Sequence, residues 1–380
     1  MDKFFSLYSQ RVEILRHRNM NIPNSSEQKE ILKRYSYYNI INGYKDPFLF
    51  HGSSKVEKYK DGTQLSELEA LLTFDTNIRL IFLKEILKIE EIIKNQIVQS
   101  FYTYHLDPKS NNTSTQQNNL HRDSEYLRST YYTLDASYSV YSINNFGIVS
   151  TSISNSKPNV QSTKLDRQAA YNKFVKTANQ TIHQQKKNKN LSITSYLNQH
   201  GYIPMWILMN VLTLGNVSHL FTFQKEAIQL HMIKSLKLHS SPNTSNNLTI
   251  LNTARSLQIL SIFRNICAHN ERFYNTQVKV PIDDIFMQFG LKLPHSVDPS
   301  SNRRLNKSKS NQRLNARRGI FSLIFVISLF LRKNDLNHFI EEIQKEFLVL
   351  DEKLHTISIV EIKRLMGLNF EWIDSIMHDH

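Results

Sequence analysis

The sequence is poor in the residues that interrupt helices and in the residue that cross-links secreted domains. Its 380 residues include 9 Gly, 9 Pro and 1 Cys. A single cysteine excludes a disulfide framework and a cysteine-based zinc site within the chain. Gly and Pro make up about 5% of the chain against an average near 12%, which favours long helices over strands joined by glycine-rich turns. We therefore expect an intracellular, all-α protein.

A secretory signal and a membrane-spanning run are also missing from the sequence. The first residues carry no sustained apolar run, and the longest apolar stretch, 319–331, includes two serines. About 20 apolar residues are needed to cross a bilayer, so this shorter stretch predicts a buried helix. The sequence therefore predicts a cytoplasmic protein without a membrane partner.

Familiar catalytic signatures are absent as well. The sequence has no phosphate-binding glycine-rich loop, no G-x-S-x-G elbow and no H-E-x-x-H pair. None of the 15 histidines has metal-ligand spacing with acidic neighbours, so we expect no metal and no cofactor. Glu361 and Lys363 match half of a metal-dependent nuclease motif, but their context is helical, and Asp283 and Asp284 lie far upstream. A solvated helix face explains this E-x-K element as well.

The chain carries an excess of positive charge. Its 47 Lys and Arg against 33 Asp and Glu give a net charge of +14, which points to a polyanionic partner. Half of that excess lies in 301–318, a stretch without acidic residues. This stretch is either a solvated loop or a flexible arm for nucleic-acid phosphates. The basic residues of this stretch are Arg303, Arg304, Lys307, Lys309, Arg313, Arg317 and Arg318.

Apolar periodicity places the helices. A long helix is predicted over 74–101, where isoleucines recur at helical spacing without Pro or Gly, and capping patterns at Ser25/Gln28 and Ser66/Glu69 suggest helix starts. Further helices are predicted over 206–219, 221–236, 250–267, 319–331, 336–350 and 359–365. The segment 106–165 is rich in Ser, Asn, Thr, Gln and Tyr and has weak apolar periodicity, which predicts a flexible insertion.

These features predict five regions of the chain. They are an N-terminal helical part (1–105), the polar insertion (106–165), a helical core (166–300), a basic loop (301–318) and C-terminal helices (319–380).

One segment of the predicted core, 261–270, combines a core-facing stripe with a polar face. On a helix, Phe263, Leu260 and Cys267 share one side. Three polar side chains fan across the side away from this stripe: Arg264, Asn265 and His269. We call 264–269 the motif.

The motif's polar face contains the small residues Ser261 and Ala268 between its larger side chains. Such a face can admit a phosphate, or a second copy of the same helix, between Arg264 and His269. Arginine offers planar bidentate donors to phosphate. Histidine titrates near neutral pH and can act as an acid or a base.

The spacing of the motif carries little information by itself. With 18 arginines and 15 histidines among 380 residues, about 0.7 Arg-x4-His pairs are expected by chance, and the chain contains one. An ordinary polar helix face is therefore the better explanation on spacing alone.

Segment 264–270, Arg-Asn-Ile-Cys-Ala-His-Asn, resembles the Arg-(polar)-x3-His motif of HEPN-domain ribonucleases. Further blocks are similar to one branch of that superfamily, the AbiD/AbiF-type abortive-infection proteins. These blocks are 37–48, 75–79 with 89–90, and 204–207 with 215–218, and they precede the motif in the family's order. The resemblance covers roughly 5–101 and 165–280. Insertions 106–165 and 301–318 are larger than the family pattern.

The resemblance implies a HEPN-type helical bundle and a metal-independent endoribonuclease in phage defence. It further implies a homodimer in which two motif helices form one composite site. His269 would transfer protons, Arg264 would hold the scissile phosphate, and Asn265 would orient the histidine or contact the phosphate. The implied products carry a 2′,3′-cyclic phosphate and a 5′-hydroxyl, and RNA is the implied partner, as substrate and as a regulatory non-coding RNA.

Two questions stay open at the level of sequence. Glu90 and Lys94 resemble polar positions of the family's long helix, but an i,i+4 ion pair worth a few tenths of a kcal/mol explains them equally well. The alternative function is a non-catalytic RNA-binding or toxin–antitoxin partner protein that uses the same basic surface.

Overall fold

Helices build the part of the chain that the computed structural model describes, which comprises residues 5–23, 26–50, 57–107, 120, 125–135, 167–238, 246–279, 282, 316–368 and 372–377. In chain order they are α1 (Tyr8–His17), α2 (Ser26–Arg34), α3 (Leu65–Leu106), α4 (Arg167–Lys187), α5 (Leu191–His200), α6 (Met205–Met209), α7 (Leu214–Thr222), α8 (Glu226–Ser235), α9 (Asn246–Ala268), α10 (Ile320–Ser328), α11 (Lys333–Asp351), α12 (Ile359–Leu365) and α13 (Trp372–Met377).

Short turns complete this helical architecture. A π-helical turn spans Tyr38–Asn42, and 3-10 turns span Asp46–Phe48, Glu125–Leu127 and Ser129–Tyr131. The described residues contain no regular strand, and an isolated antiparallel bridge joins Leu49 to Tyr59. The predicted all-α class is confirmed.

The long helix α3 forms the centre of the core. Its 42 residues contain no Pro or Gly, and it packs on α2, α8, α9 and α11. Repeated isoleucines on one side of α3 are fully buried: Ile78, Ile86, Ile89, Ile93 and Ile97. The periodicity that predicted a helix over 74–101 thus identified its buried middle, and the helix extends beyond that range at both ends.

The start of α3 differs from the predicted Ser66/Glu69 capping box. Gln64 is the N-cap, and its backbone N–H donates to Oε2 of Glu67 at 3.1 Å. Glu67 is fully buried, and hydrogen bonds compensate for the burial of its carboxylate. Its Oε1 also accepts the backbone N–H groups of His355 and Thr356 at 2.7 and 2.8 Å. The cap therefore sits two residues earlier, where one carboxylate satisfies both a helix end and a distant loop.

The helix predicted over 206–219 is two helices, α6 and α7. Thr213 starts α7 with a reciprocal cap. Its hydroxyl accepts the Asn216 N–H at 3.3 Å, and the Asn216 side chain accepts the Thr213 N–H at 3.1 Å. This cap stabilises a new helix start at Thr213 and breaks the predicted helix there.

Residues 125–135 pack into the core, although they lie inside the segment predicted to be flexible. Tyr126 and Tyr132 are 1% and 6% exposed. The Tyr132 ring lies 5.9 Å from Phe101 and 5.2 Å from Phe223. The tyrosine content of 106–165 did not indicate which tyrosines pack into the core, and nearly all of its remaining residues lie outside the described part of the chain.

The apolar stretch 319–331 forms a core helix, as predicted. Every residue of α10 is buried, and α10 packs on α3, α9 and α13. Within the described ranges, no helix has the length and apolarity needed to span a bilayer. The protein therefore uses this stretch as core.

A buried histidine near the end of α3 makes the stability depend on pH. His105 is 1% exposed and lies 4.6 Å from the Phe101 ring. Burial, with a smaller contribution from Lys225, lowers the pKa of His105 to about 4. The unfolded chain takes up this proton near pH 6.5, whereas the folded chain takes it up only near pH 4. The stabilisation is thus full above pH 6.5 and is lost as the pH falls towards 4.

We expect the free energy of unfolding to fall by up to about 3 kcal/mol between pH 7 and 4 through this group. Denaturant titrations at several pH values should show a shallower pH dependence for His105→Phe, which keeps an aromatic ring but binds no proton. The same pH dependence in both proteins would contradict the assignment.

Candidate functional site

The motif lies at the C-terminal end of α9, on a helix whose other side is buried in the core. Leu260 and Phe263 are fully buried. Asn265 and His269 are exposed, and the Arg264 side chain is 30% exposed. His269 directly follows the last helical residue, and its N–H donates to the Asn265 carbonyl at 2.9 Å. The predicted polar face is therefore present, with Arg264 at its border with the core.

One of the two small residues predicted on this face, Ser261, is covered by another helix. Ser261 is 8% exposed because α7 packs over it. A Cβ atom placed on Gly215 would lie 3.0 Å from Ser261 Oγ, so a glycine at 215 permits the close approach of α7 and α9. The sequence-based placement of Ser261 on the open face is wrong, and Ala268 is the small residue that stays exposed there.

A carboxylate from α3 holds the arginine of the motif. Glu90 is 6% exposed, and its Oε2 lies 3.6 Å from Arg264 Nε. The other oxygen, Oε1, lies 2.7 Å from Lys94 Nζ, which confirms the i,i+4 pair predicted on the long helix. Two cations thus share one carboxylate. The cluster keeps a local excess of positive charge that suits an anionic ligand.

The Glu90–Arg264 pair is an electrostatic contact. Among the described residues, neither Glu90 Oε2 nor Arg264 Nε finds a hydrogen-bond partner, and both atoms are buried. Buried polar atoms without partners are uncommon in folded proteins. Arg264 is therefore oriented by charge without being locked by a hydrogen bond at Nε.

The chain turns sharply after the motif. Asn270 has a φ of 56°, the left-handed conformation that ends many helices and that asparagine tolerates. The next N–H, from Glu271, donates to the Ile266 carbonyl at 3.1 Å, which is the long hydrogen bond of a Schellman cap. The cap fixes where His269 lies at the end of the helix.

A buried aspartate on α3 receives the segment that follows this cap. Asp75 accepts the backbone N–H of Phe273 at 3.1 Å and that of Tyr274 at 2.6 Å. Asp75 also accepts the Tyr44 hydroxyl at 2.8 Å. Burial raises the pKa of Asp75, against the opposing effects of Arg79 and these hydrogen bonds.

Two arginines complete the same junction. Arg79 donates to the Glu271 carbonyl at 2.5 Å, and Arg272 donates to the Gly43 carbonyl at 2.8 Å. The sequence singled out 37–48 and 75–79 only by resemblance. Their contacts with 271–274 could not be read from periodicity, because the partners lie about 200 residues apart in the chain.

Other candidate groups have structural explanations. Burial raises the pKa of the Cys267 thiol to about 12, so it stays protonated at neutral pH and is a poor nucleophile. Glu361 lies on α12, where it is half-buried and pairs with Lys60 at 3.4 Å, so its context is a helix that packs on the core. Asp283 and Asp284 lie outside the described residues. Within the described residues, no group of three His, Cys, Asp or Glu could hold a metal.

The basic stretch 301–318 is described only at its end. Arg317 Nε donates to the Ile282 carbonyl at 2.7 Å. Arg318 is 6% exposed, and burial lowers its pKa. Because residues 316–318 already form a helical turn that packs inward, Arg318 is not placed to bind RNA as predicted. The remaining candidates lie outside the described residues: Arg303, Arg304, Lys307, Lys309 and Arg313.

Comparisons with known proteins give one match. A family model described as Abi-like protein matches residues 30–275. No curated protein and no solved structure matches the chain. The matched range includes Glu90, Arg264 and His269. It ends at residue 275, directly after the segment 273–274 whose backbone N–H groups bind Asp75.

Proposed function

Because the chain belongs to the Abi-like protein family, we propose that it is a metal-independent endoribonuclease of the HEPN type that acts in abortive-infection defence against phage. The observation that carries the proposal is the joint placement of Arg264 and His269 at the end of α9, with Glu90 behind the arginine. An arginine and an exposed histidine five residues apart, or about 1.4 helical turns, suit a phosphodiester and its neighbouring hydroxyl.

In the proposed reaction, His269 removes the proton from a ribose 2′-hydroxyl or donates one to the leaving oxygen. The 2′-oxygen attacks the adjacent phosphorus, a new P–O2′ bond forms, and the P–O5′ bond breaks. The departing 5′-oxygen takes up a proton. The products are a 2′,3′-cyclic phosphate and a 5′-hydroxyl, and no metal takes part.

Arg264 would stabilise the negative charge that develops on the phosphate oxygens during this attack. Asn265, exposed beside it, would contact the phosphate or orient the histidine. We further propose that two copies of the motif helix face each other in a homodimer. In that arrangement, one copy can supply the base and the other the acid that the reaction requires.

The proposal is tested with purified protein, single-stranded RNA and DNA of the same sequence, in the presence of EDTA. We expect cleavage of the RNA without added metal and no cleavage of the DNA, which lacks the 2′-hydroxyl nucleophile. Loss of cleavage in EDTA, or equal cleavage of DNA, would contradict the mechanism. Salt-dependent RNA binding without turnover would favour the non-catalytic RNA-binding alternative.

Glu90→Gln should lower the cleavage rate without abolishing it. The substitution keeps the shape of the side chain but removes the charge that orients Arg264 at 3.6 Å. Because Glu90 acts through another residue, we expect a loss of about tenfold to a hundredfold in kcat with little change in KM.

Glu91→Gln is the matched control for Glu90→Gln. Glu91 is the next residue of α3 and is exposed, so this variant should cleave RNA like the wild type. Single-turnover kinetics of both variants measure the difference. Equal rates for the two variants would show that Glu90 does not position Arg264.

A further inference from the structure

A cavity of about 610 Å³ opens beside the end of the motif helix. One wall is 270–272, the three residues that directly follow His269. The facing walls come from the end of α2, the π-helical turn and one side of α3. The volume lies within the range of roughly 300–1,000 Å³ that is usual for small-molecule sites. Because 270–272 directly follow His269 in the chain, the cavity lies next to the end of the motif helix.

The cavity presents an aromatic ring that the fold leaves uncovered. Tyr38 is 72% exposed although it lines the cavity, while its neighbour Tyr35 is half-buried. Tyr38 begins the π-helical turn, a rare conformation that is frequent at functional sites. Asn39 and Asn42, from the same turn, add amide groups that can donate and accept hydrogen bonds. A flat ring beside amides suits a nucleobase.

One of the arginines that line the cavity is available to an anionic ligand. Arg34, Arg79 and Arg272 line it, and Glu271 is the one acidic residue among its lining residues. Arg79 donates to the Glu271 carbonyl and pairs with Asp75 at 3.7 Å. Arg272 donates to the Gly43 carbonyl and pairs with Asp46 at 3.4 Å, so both charges are balanced within the wall. The Arg34 side chain is 68% exposed, and its contact with Glu69 is long, at 3.5 Å. Arg34 can therefore turn towards a phosphate at the mouth.

We propose that this cavity binds one nucleotide of a single-stranded RNA, next to the phosphate held by Arg264. The base stacks on Tyr38 and bonds to the asparagine amides, and its phosphate meets Arg34. The inference rests on the proposed function for the position of the scissile bond. It adds a site that selects single-stranded RNA, because a base in a duplex cannot reach the ring.

The test measures the affinity of a short, fluorescein-labelled 2′-O-methyl RNA, which lacks the attacking hydroxyl, by fluorescence anisotropy. Tyr38→Ala should weaken binding by about tenfold to a hundredfold, as expected for the loss of one stacked base. Tyr38→Phe keeps the ring and should bind like the wild type. Arg34→Gln should weaken binding and reduce its salt dependence.

Phe50→Ala is the matched control. Phe50 is 67% exposed, close to the value for Tyr38, but does not line the cavity. This variant should bind RNA like the wild type. Unchanged affinity of Tyr38→Ala, or an equal loss for Phe50→Ala, would overturn the assignment.

Two further comparisons are needed. The first distinguishes an RNA strand from a free nucleotide as the ligand, and the second distinguishes failure of the cavity assignment from failure of the proposed function. A free mononucleotide that displaces the RNA at a concentration near the RNA's own Kd would overturn the assignment to an RNA strand and indicate a small effector. RNA cleavage with no effect of Tyr38→Ala on binding would overturn the cavity assignment alone. Weaker binding by Tyr38→Ala in a protein that never cleaves RNA would overturn the proposed function and leave the cavity as an RNA site.

Discussion

Arg264→Ala and His269→Ala are each expected to reduce RNA cleavage by about a thousandfold, the largest effect on activity that the structure indicates. General acid–base catalysis contributes about 10²- to 10⁴-fold, and a group that stabilises the developing charge contributes about 10²- to 10³-fold. Both side chains are at least partly exposed at the end of α9, so both variants should remain folded. Initial rates on a labelled RNA measure the loss.

Arg16→Ala and His338→Ala are suitable controls for these variants. The Arg16 side chain is 32% exposed and pairs with Glu13 at 2.8 Å, which matches the exposure of Arg264 and its pairing with a glutamate. His338 is exposed on α11, a different helix from the one that carries the motif. Both controls should cleave RNA at the wild-type rate. Full activity in either motif variant would show that its side chain takes no part in the reaction.

The double variant and a lysine variant sharpen this prediction. If Arg264 and His269 act in one step, removing both should cost little more than removing one. Arg264→Lys should recover only a small part of the rate, because an ammonium group cannot bind phosphate in the planar, bidentate way of a guanidinium. Full recovery with lysine would indicate that charge alone is required.

Asp75→Ala is expected to lower the free energy of unfolding by about 3–5 kcal/mol, the largest effect on stability. The substitution leaves the buried N–H groups of Phe273 and Tyr274 without their acceptor and leaves Arg79, 3.7 Å from the carboxylate, without its counter-charge. Domains are typically stable by only 5–15 kcal/mol, so this loss is a large share of the total. Denaturant titration at neutral pH measures it.

Two further variants make this result specific to Asp75. Tyr44→Phe removes one hydrogen bond to the same carboxylate and should cost about 1.5–3 kcal/mol. Glu91→Ala, exposed on the same helix, should change stability by less than about 0.5 kcal/mol. Wild-type stability of Asp75→Ala would contradict the role of this junction in holding the segment behind the motif.

The predictable part of this fold is the part that depends on local pattern. The isoleucine stripe of α3 predicts a helix with one buried face, because its residues recur at helical spacing. The continuous apolar run of α10 predicts a helix that is buried on all sides. The starts of α3 and α7 were missed for different reasons. Gln64 caps α3 through a carboxylate that also binds a distant loop, whereas Thr213 and Asn216 form a local pattern that could have been recognised.

The sequence predicted the helix that carries the site, but it did not predict the residues that surround that helix. Helical spacing predicted that Asn265 and His269 would face away from the core, and the structure confirms this. The contact of Arg264 with Glu90 joins residues 174 positions apart, so no periodicity could indicate it. The burial of Arg318 was not predicted, because composition alone indicates that a run of basic residues is solvated.

The most direct test of the account is the chemistry of the RNA ends. Purified wild-type protein and His269→Ala are incubated with mixed cellular RNA in EDTA, and the new ends are sequenced by a method that captures 5′-hydroxyl groups. We expect 5′-hydroxyl and 2′,3′-cyclic phosphate ends with the wild type and only background with His269→Ala. New ends that carry a 5′-phosphate, or equal numbers of new ends with both proteins, would contradict the proposed mechanism.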